Sequence, residues 1–203
     1  MDGKAASSGR AGVLIVGAGL LVGLLAGLVI FVGLPAQWLP SWLGQRATAV
    51  ATGGLVDTPA PAPVAGAPAP DFKLNDLAGQ PVQLSALKGQ VVLINFWATW
   101  CGPCQLEMPA IQHAYDARKG AGLTVLAVNL NEPAKTVQDY VDNLKLSFPV
   151  LLDPRDDVTN LYRVRGYPTT FFIDRNGTVA AEQVGMMTDA QLADNLARLG
   201  LGD

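Results

Sequence analysis

The chain has 203 residues, a formal net charge of −3, half of its residues apolar and only 15% charged. That length holds one ordinary domain with flanking segments but hardly two full domains, and the absence of any basic run or aromatic–basic stripe argues against nucleic acid as a partner. Two cysteines are too few for a disulfide-stapled scaffold.

Residues 1–10 are polar and carry Lys4 and Arg10. Val13 to Val32 is then an uncharged apolar run of 20 residues. As a helix it would rise about 30 Å, the thickness of a bilayer core. A cleaved signal peptide has a shorter apolar core with a small-residue site close behind it. Here Pro35, Trp38 and Trp42 follow, and Ala47-Thr48-Ala49 lies well downstream, so the length favours an uncleaved transmembrane anchor over residues 11–34. Lys4 and Arg10 place the N-terminus in the cytoplasm and the rest outside the cell membrane as a single-pass protein, with the two tryptophans at the outer interface. Gly23 and Gly27 give a weak helix-packing signal.

Residues 35–69 form an interfacial segment and an Ala/Pro-rich linker, including Pro59-Ala60-Pro61-Ala62-Pro63. Such a composition tends to extended geometry and reads as a tether. The domain itself is expected over 70–203. Asp71–Leu74 and Val82–Leu84 read as a short hairpin. Val91–Trp97 is a continuous apolar strand suited to a central position. A helix is predicted from about Cys101 to Lys119, a second apolar strand over Leu123–Leu130, and a helix over Pro133–Leu146 with Pro133 at its first position. Pro149–Leu152 reads as a strand and Asp153-Pro154 as the opening of a short helix. Thr169–Ile173 and Val179–Val184 pair around Asp174-Arg175-Asn176-Gly177, a hairpin turn signal. Thr188 to Gln191 forms a capping box for the last helix. The order predicts an α/β fold, a mixed sheet flanked by helices.

The chemistry lies in Trp100-Cys101-Gly102-Pro103-Cys104. A structural zinc site needs four ligands, but the chain has one histidine, His113, and no second cysteine pair. A covalent haem site needs a histidine after the second cysteine, where Gln105 stands. No metal and no cofactor is expected. The pair is either a redox couple or an inert clasp, and clasps normally link distant segments. A strand leading into Cys-x-x-Cys at a helix start favours the redox couple. Cys101 at the helix N-terminus would be stabilised as the attacking thiolate, with Cys104 one turn inward resolving the mixed disulfide. Pro103 stiffens the turn and Gly102 leaves room for an approaching backbone.

The segment Asn95-Phe96-Trp97-Ala98-Thr99-Trp100-Cys101-Gly102-Pro103-Cys104 resembles the thioredoxin active-site strand and helix start. Pro109 matches the proline inside that helix, Tyr167-Pro168-Thr169-Thr170 resembles the cis-proline segment, and Val184-Gly185 resembles the last strand's approach to the same groove. More narrowly, Ala69-Pro70-Asp71-Phe72, Leu84-Ser85-Ala86-Leu87-Lys88-Gly89, Glu107-Met108-Pro109, Thr169-Thr170-Phe171-Phe172-Ile173-Asp174 and the added helix and strand near 131–152 are similar to the membrane-anchored TlpA/ResA group of extracytoplasmic proteins. The resemblance implies a thioredoxin-like protein disulfide reductase whose partners are exported proteins, notably apocytochrome c or copper-site proteins, with a transmembrane thiol carrier as electron donor. It also implies a substrate surface built from Trp100, Gly102, Pro103, Tyr167, Pro168 and Gly185.

Two departures stand out. Plain thioredoxins carry a buried aspartate where this chain has Asn95, and ResA carries a glutamate where this chain has Gly102. Glu107, one turn after Cys104, reads either as the proton acceptor for Cys104 or as a solvated surface carboxylate. A thiol peroxidase on the same fold would need a Pro-x-x-x-Thr-x-x-Cys run, and Ala98 stands at the threonine position. A copper-delivery module would need wider cysteine spacing and a histidine.

Overall fold

The computed structural model describes residues 62–202. The expected anchor and most of the linker lie outside the described residues, and among the described residues no helix is long and apolar enough to cross a membrane.

Seven strands form one mixed sheet. In chain order they are β1 (Lys73–Asp76), β2 (Pro81–Gln83), β3 (Val91–Trp97), β4 (Leu123–Leu130), β5 (Val150–Asp153), β6 (Thr169–Ile173) and β7 (Val179–Val184). The spatial order is β2-β1-β5-β4-β3-β6-β7. β3, β4 and β5 run parallel, while β1 and β6 pair antiparallel on either side of that block and β2 and β7 close the edges. The helices are α1 (Gly102–Arg118), α2 (Ala134–Leu144), α3 (Asp157–Leu161) and α4 (Asp189–Arg198).

Every residue of β3 is buried, which explains its almost wholly apolar sequence: a strand covered on both faces has no solvent side to alternate with. Its alternate residues feed two cores. Val91, Leu93 and Trp97 pack with Met108 and Ile111 of α1, Val137 and Val141 of α2, and Leu192 and Leu196 of α4. Val92, Ile94 and Phe96 face Phe72, Leu84, Val158, Tyr162 and Phe171 on the other side. Period-two alternation therefore puts Asn95 on the α1 face, the one polar side chain in that strand.

Three of the boundaries that differ from the sequence expectation trace to particular contacts. Pro133 has ψ 134 and serves as the N-cap of α2. Only its carbonyl enters the helix, accepting from Val137 N–H at 3.2 Å. α3 starts at Asp157, after the Asp153-Pro154 pair expected to open it. The buried Asp153 carboxylate reaches forward from the end of β5 and accepts from Thr159 N–H and Thr159 Oγ1, both at 2.8 Å. The third is at the front of the domain. Residues from 62 already join the fold: Gly66 N–H donates to Val179 O at 2.8 Å, Val179 N–H to Ala67 O at 2.9 Å, and Ala69 N–H to Gly177 O at 2.9 Å. Tyr162 then donates its hydroxyl to Pro70 O at 2.7 Å from within the second core. The capping box of Thr188 and Gln191 forms as expected.

Candidate active site

β3 ends at Trp97, and a short turn brings Cys101 to the N-cap of α1. Cys101 and Cys104 form a disulfide with S–S 2.03 Å and Cα–Cα 5.2 Å. Cys101 N–H closes the turn on Ala98 O at 3.2 Å, and Cys101 Sγ accepts from Cys104 N–H, also at 3.2 Å. A side chain that accepts at this position satisfies one of the four orphan donors of the helix start, and the same donors favour negative charge on the sulfur. Pro103 sits in the first turn, where its missing N–H costs nothing. The two sulfurs are not equivalent: Cys104 is fully buried, whereas Cys101 keeps 5% exposure.

Glu107 is not a solvated carboxylate. It is 3% exposed, and both oxygens are partnered: Asn95 Nδ2 donates to Oε1 at 2.7 Å and Met187 N–H to Oε2 at 3.1 Å. Asn95 Nδ2 also donates to Thr170 Oγ1 at 2.9 Å, from the neighbouring β6. Burial pushes the Glu107 carboxyl above its ordinary value, and the bonds from Met187 and Asn95 pull it only part of the way back. The carboxyl thus lies one turn beyond Cys104 on α1, on the face turned to β3. An amide on the central strand thus holds a carboxyl carried by the helix.

The residues that the resemblance expects to face substrate gather at the same end of the sheet. The Tyr167–Pro168 peptide bond is cis, and Gly185, at φ +85, donates its N–H to Pro168 O at 2.8 Å. Trp100 is 65% exposed and meets Tyr167 edge-on, with ring centroids 6.2 Å apart. Leu106, Val184 and Met186 are exposed apolar side chains as well. Gly102 is exposed, and a Cβ there would meet nothing within 4 Å, which fits the open approach expected of it. Among the described residues no cluster of side chains could hold a metal ion.

Sequence reasoning passed over Glu132. It follows β4 in chain and accepts from Thr99 and from Asn129, the buried asparagine next to the last residue of that strand. An asparagine in a largely apolar strand, at the cysteine end of the sheet, was the available signal.

Residues 65–182 match the AhpC/TSA family. The chain is 43% identical over 131 residues to the thiol-disulfide oxidoreductase ResA of Geobacillus kaustophilus, covering 64% of this chain and 75% of that one. Among solved structures it is similar to one from Chlorobium tepidum described as a thiol:disulfide interchange protein DsbE, with TM-score 0.61 and 36% identity over 65% of this chain and 94% of that one. StoA of Bacillus subtilis superposes with TM-score 0.55 and 29% identity, over 62% and 96% respectively.

Proposed function

The chain belongs to the AhpC/TSA family and is a ResA-like thiol-disulfide oxidoreductase, and from that premise we propose that it is a membrane-tethered reductant of disulfides in exported proteins. The observation that carries the reading is the asymmetry of the pair: Cys101 caps α1 with its sulfur, while Cys104 is sealed in the same core as the Glu107 carboxyl.

The exchange runs in two steps. The Cys101 thiolate attacks one sulfur of the substrate disulfide, forming a mixed disulfide and releasing the other substrate sulfur as a thiolate. Cys104 then gives its proton to Glu107, and its thiolate attacks Cys101 Sγ. The substrate's second sulfur leaves, and the Cys101–Cys104 disulfide takes up the oxidation. A carboxyl raised by burial and placed one helical turn away is suited to accept that proton. The apolar side chains of Trp100, Tyr167, Val184 and Met186 would receive an extended, unfolded segment such as the cysteine region of an apocytochrome c or of a copper-site protein. Electrons would return from a transmembrane thiol carrier, and the apolar run Val13–Val32 would keep the domain in the membrane plane near it. A thiol peroxidase is the weaker reading, because the buried methyl of Ala98 stands where that chemistry needs a hydroxyl.

A redox titration of the purified chain tests the direction. A Gly-Pro dipeptide between the cysteines is that of thioredoxin, at about −270 mV, against about −120 mV for the oxidant DsbA. The gap of roughly 150 mV is about 7 kcal/mol for two electrons, enough to decide the direction of flow. The expected potential lies nearer the thioredoxin value; one near that of DsbA would make the protein an oxidase.

A further inference from the structure

All three polar groups of Thr99 are engaged. Its N–H donates to Glu132 Oε2 at 2.7 Å, its hydroxyl to Glu132 Oε1 at 2.5 Å, and its carbonyl accepts from Gln105 Nε2 at 2.6 Å. Glu132 Oε2 also accepts from Asn129 Nδ2 at 2.7 Å, and Asn129 is fully buried beside Trp97 in the β3–β4 register. One carboxylate therefore ties the end of β4 to the turn that carries Cys101, and Gln105 ties the same turn to the first coil of α1. We infer that Glu132 is a positioning residue for Cys101, holding its sulfur over the helix start once the disulfide has been opened.

In the oxidised chain the S–S bond itself keeps Cys101 beside Cys104 N–H. Reduction removes that covalent tie, and the sulfur stays at the N-cap only as far as the preceding turn is fixed. With Thr99 bound at all three points and Cys101 N–H on Ala98 O, the backbone ahead of the helix is fixed and the Cys101 side chain is held over its start. A sulfur kept against the free N–H groups is favoured as thiolate; a sulfur that swings away loses that support. The bonding and the charge of Glu132 act in opposite directions. A carboxylate close to a thiol disfavours the thiolate by repulsion, so removing the charge alone would make Cys101 more reactive. Removing the bracket would make it less so.

The inference rests on Cys101 being the attacking sulfur, and alkylation separates the two. The reduced full-length chain is treated with iodoacetamide across pH, and each cysteine is followed by peptide mass. In the wild-type chain, Cys104 reacting ahead of Cys101 would overturn the role assignment above, whereas the positioning inference is decided by how the Cys101 profile moves between variants. Glu132→Ala should slow Cys101 alkylation at neutral pH by about three- to tenfold, the scale of a helix-terminus interaction, and shift its profile to higher pH. Glu132→Gln should stay within about twofold of wild type, because the amide oxygen can take both N–H donors while its NH2 donates to the Thr99 hydroxyl. Thr99→Val, which removes one of the two bonds to Glu132, should move Cys101 in the same direction as Glu132→Ala by a smaller amount, and it carries the test if the alanine variant does not fold. An unmoved profile in Glu132→Ala or, failing that, in Thr99→Val overturns the inference. So does faster alkylation in Glu132→Ala, or a rise of more than about twofold in Glu132→Gln, which would make the charge the operative feature.

Discussion

Asn95 Nδ2 lies 2.7 Å from Glu107 Oε1, so an amide on the central strand holds the carboxyl carried by the active-site helix. The pairing has a pH signature. Glu107 is raised by burial, so the folded chain binds that proton more tightly than the unfolded one. Its contribution to stability is complete below the ordinary glutamate range and is lost as pH climbs through the raised value. Urea unfolding across pH should show this decline, and Glu107→Gln should flatten it while slowing resolution of mixed disulfides. Asn95→Asp should steepen it and cost about 1–3 kcal/mol at neutral pH, because two carboxyls at that distance cannot both ionise and the donor is gone. A slope unchanged in Glu107→Gln would mean that the carboxyl does not titrate as its burial implies.

Cysteine roles follow from the same asymmetry. Cys104→Ser should leave Cys101 able to attack but unable to be resolved, so mixed disulfides with substrate accumulate and appear on non-reducing gels. Cys101→Ser should trap little, since Cys104 has no exposed surface. Capture by the Cys101→Ser chain instead would reverse the two assignments.

Trp100 is the largest exposed apolar side chain among the described residues, and its ring meets Tyr167 edge-on. Trp100→Ala should raise KM for a protein disulfide about five- to thirtyfold, the range of an interface anchor. The unfolding midpoint should hardly move, because little packing is lost. A fall in kcat with KM unchanged would place Trp100 in the chemistry rather than in docking.

Tyr162 fastens the front of the domain. Its ring packs among Phe72, Phe96 and Phe171, and its hydroxyl reaches Pro70 O. Tyr162→Phe keeps the packing and leaves a buried carbonyl without its donor, a cost of about 1–3 kcal/mol by urea unfolding. Protease sensitivity at residues 62–70 should rise in parallel; a loss of stability without it would mean that the segment is held by its bonds to β7 alone.

β3, β4, β6 and β7 match their expected ends because apolar runs bounded by turn residues carry their own limits. The cysteine pair was legible because strand, N-cap and helix are contiguous in the chain. What escaped was set by distance. Glu107 could not be told from a surface carboxylate, since Asn95 and Met187, 12 and 80 positions away, decide its burial. Glu132 reaches Thr99 across 33 positions. The start of α3 depends on Asp153 folding forward over it, and Pro133 has a fixed φ but a ψ that sequence does not constrain. Residues 62–69 looked like linker because proline and alanine dominate them, yet their backbone groups find partners along the start of β7.

That last docking gives the domain a polarity. β3 runs from Val91 to Trp97 toward the cysteines, and the pairings of β6 and β7 put Val179 beside Ile173 at the opposite end of the sheet. Ala67 and Ala69 bond there, to Val179 and Gly177. The chain therefore enters at one pole and does its chemistry at the other, about 20 Å away over the seven residues of β3. A change made where residues 66–69 dock therefore lies a full sheet length from the disulfide, so the two ends of the domain can be varied independently in one polypeptide.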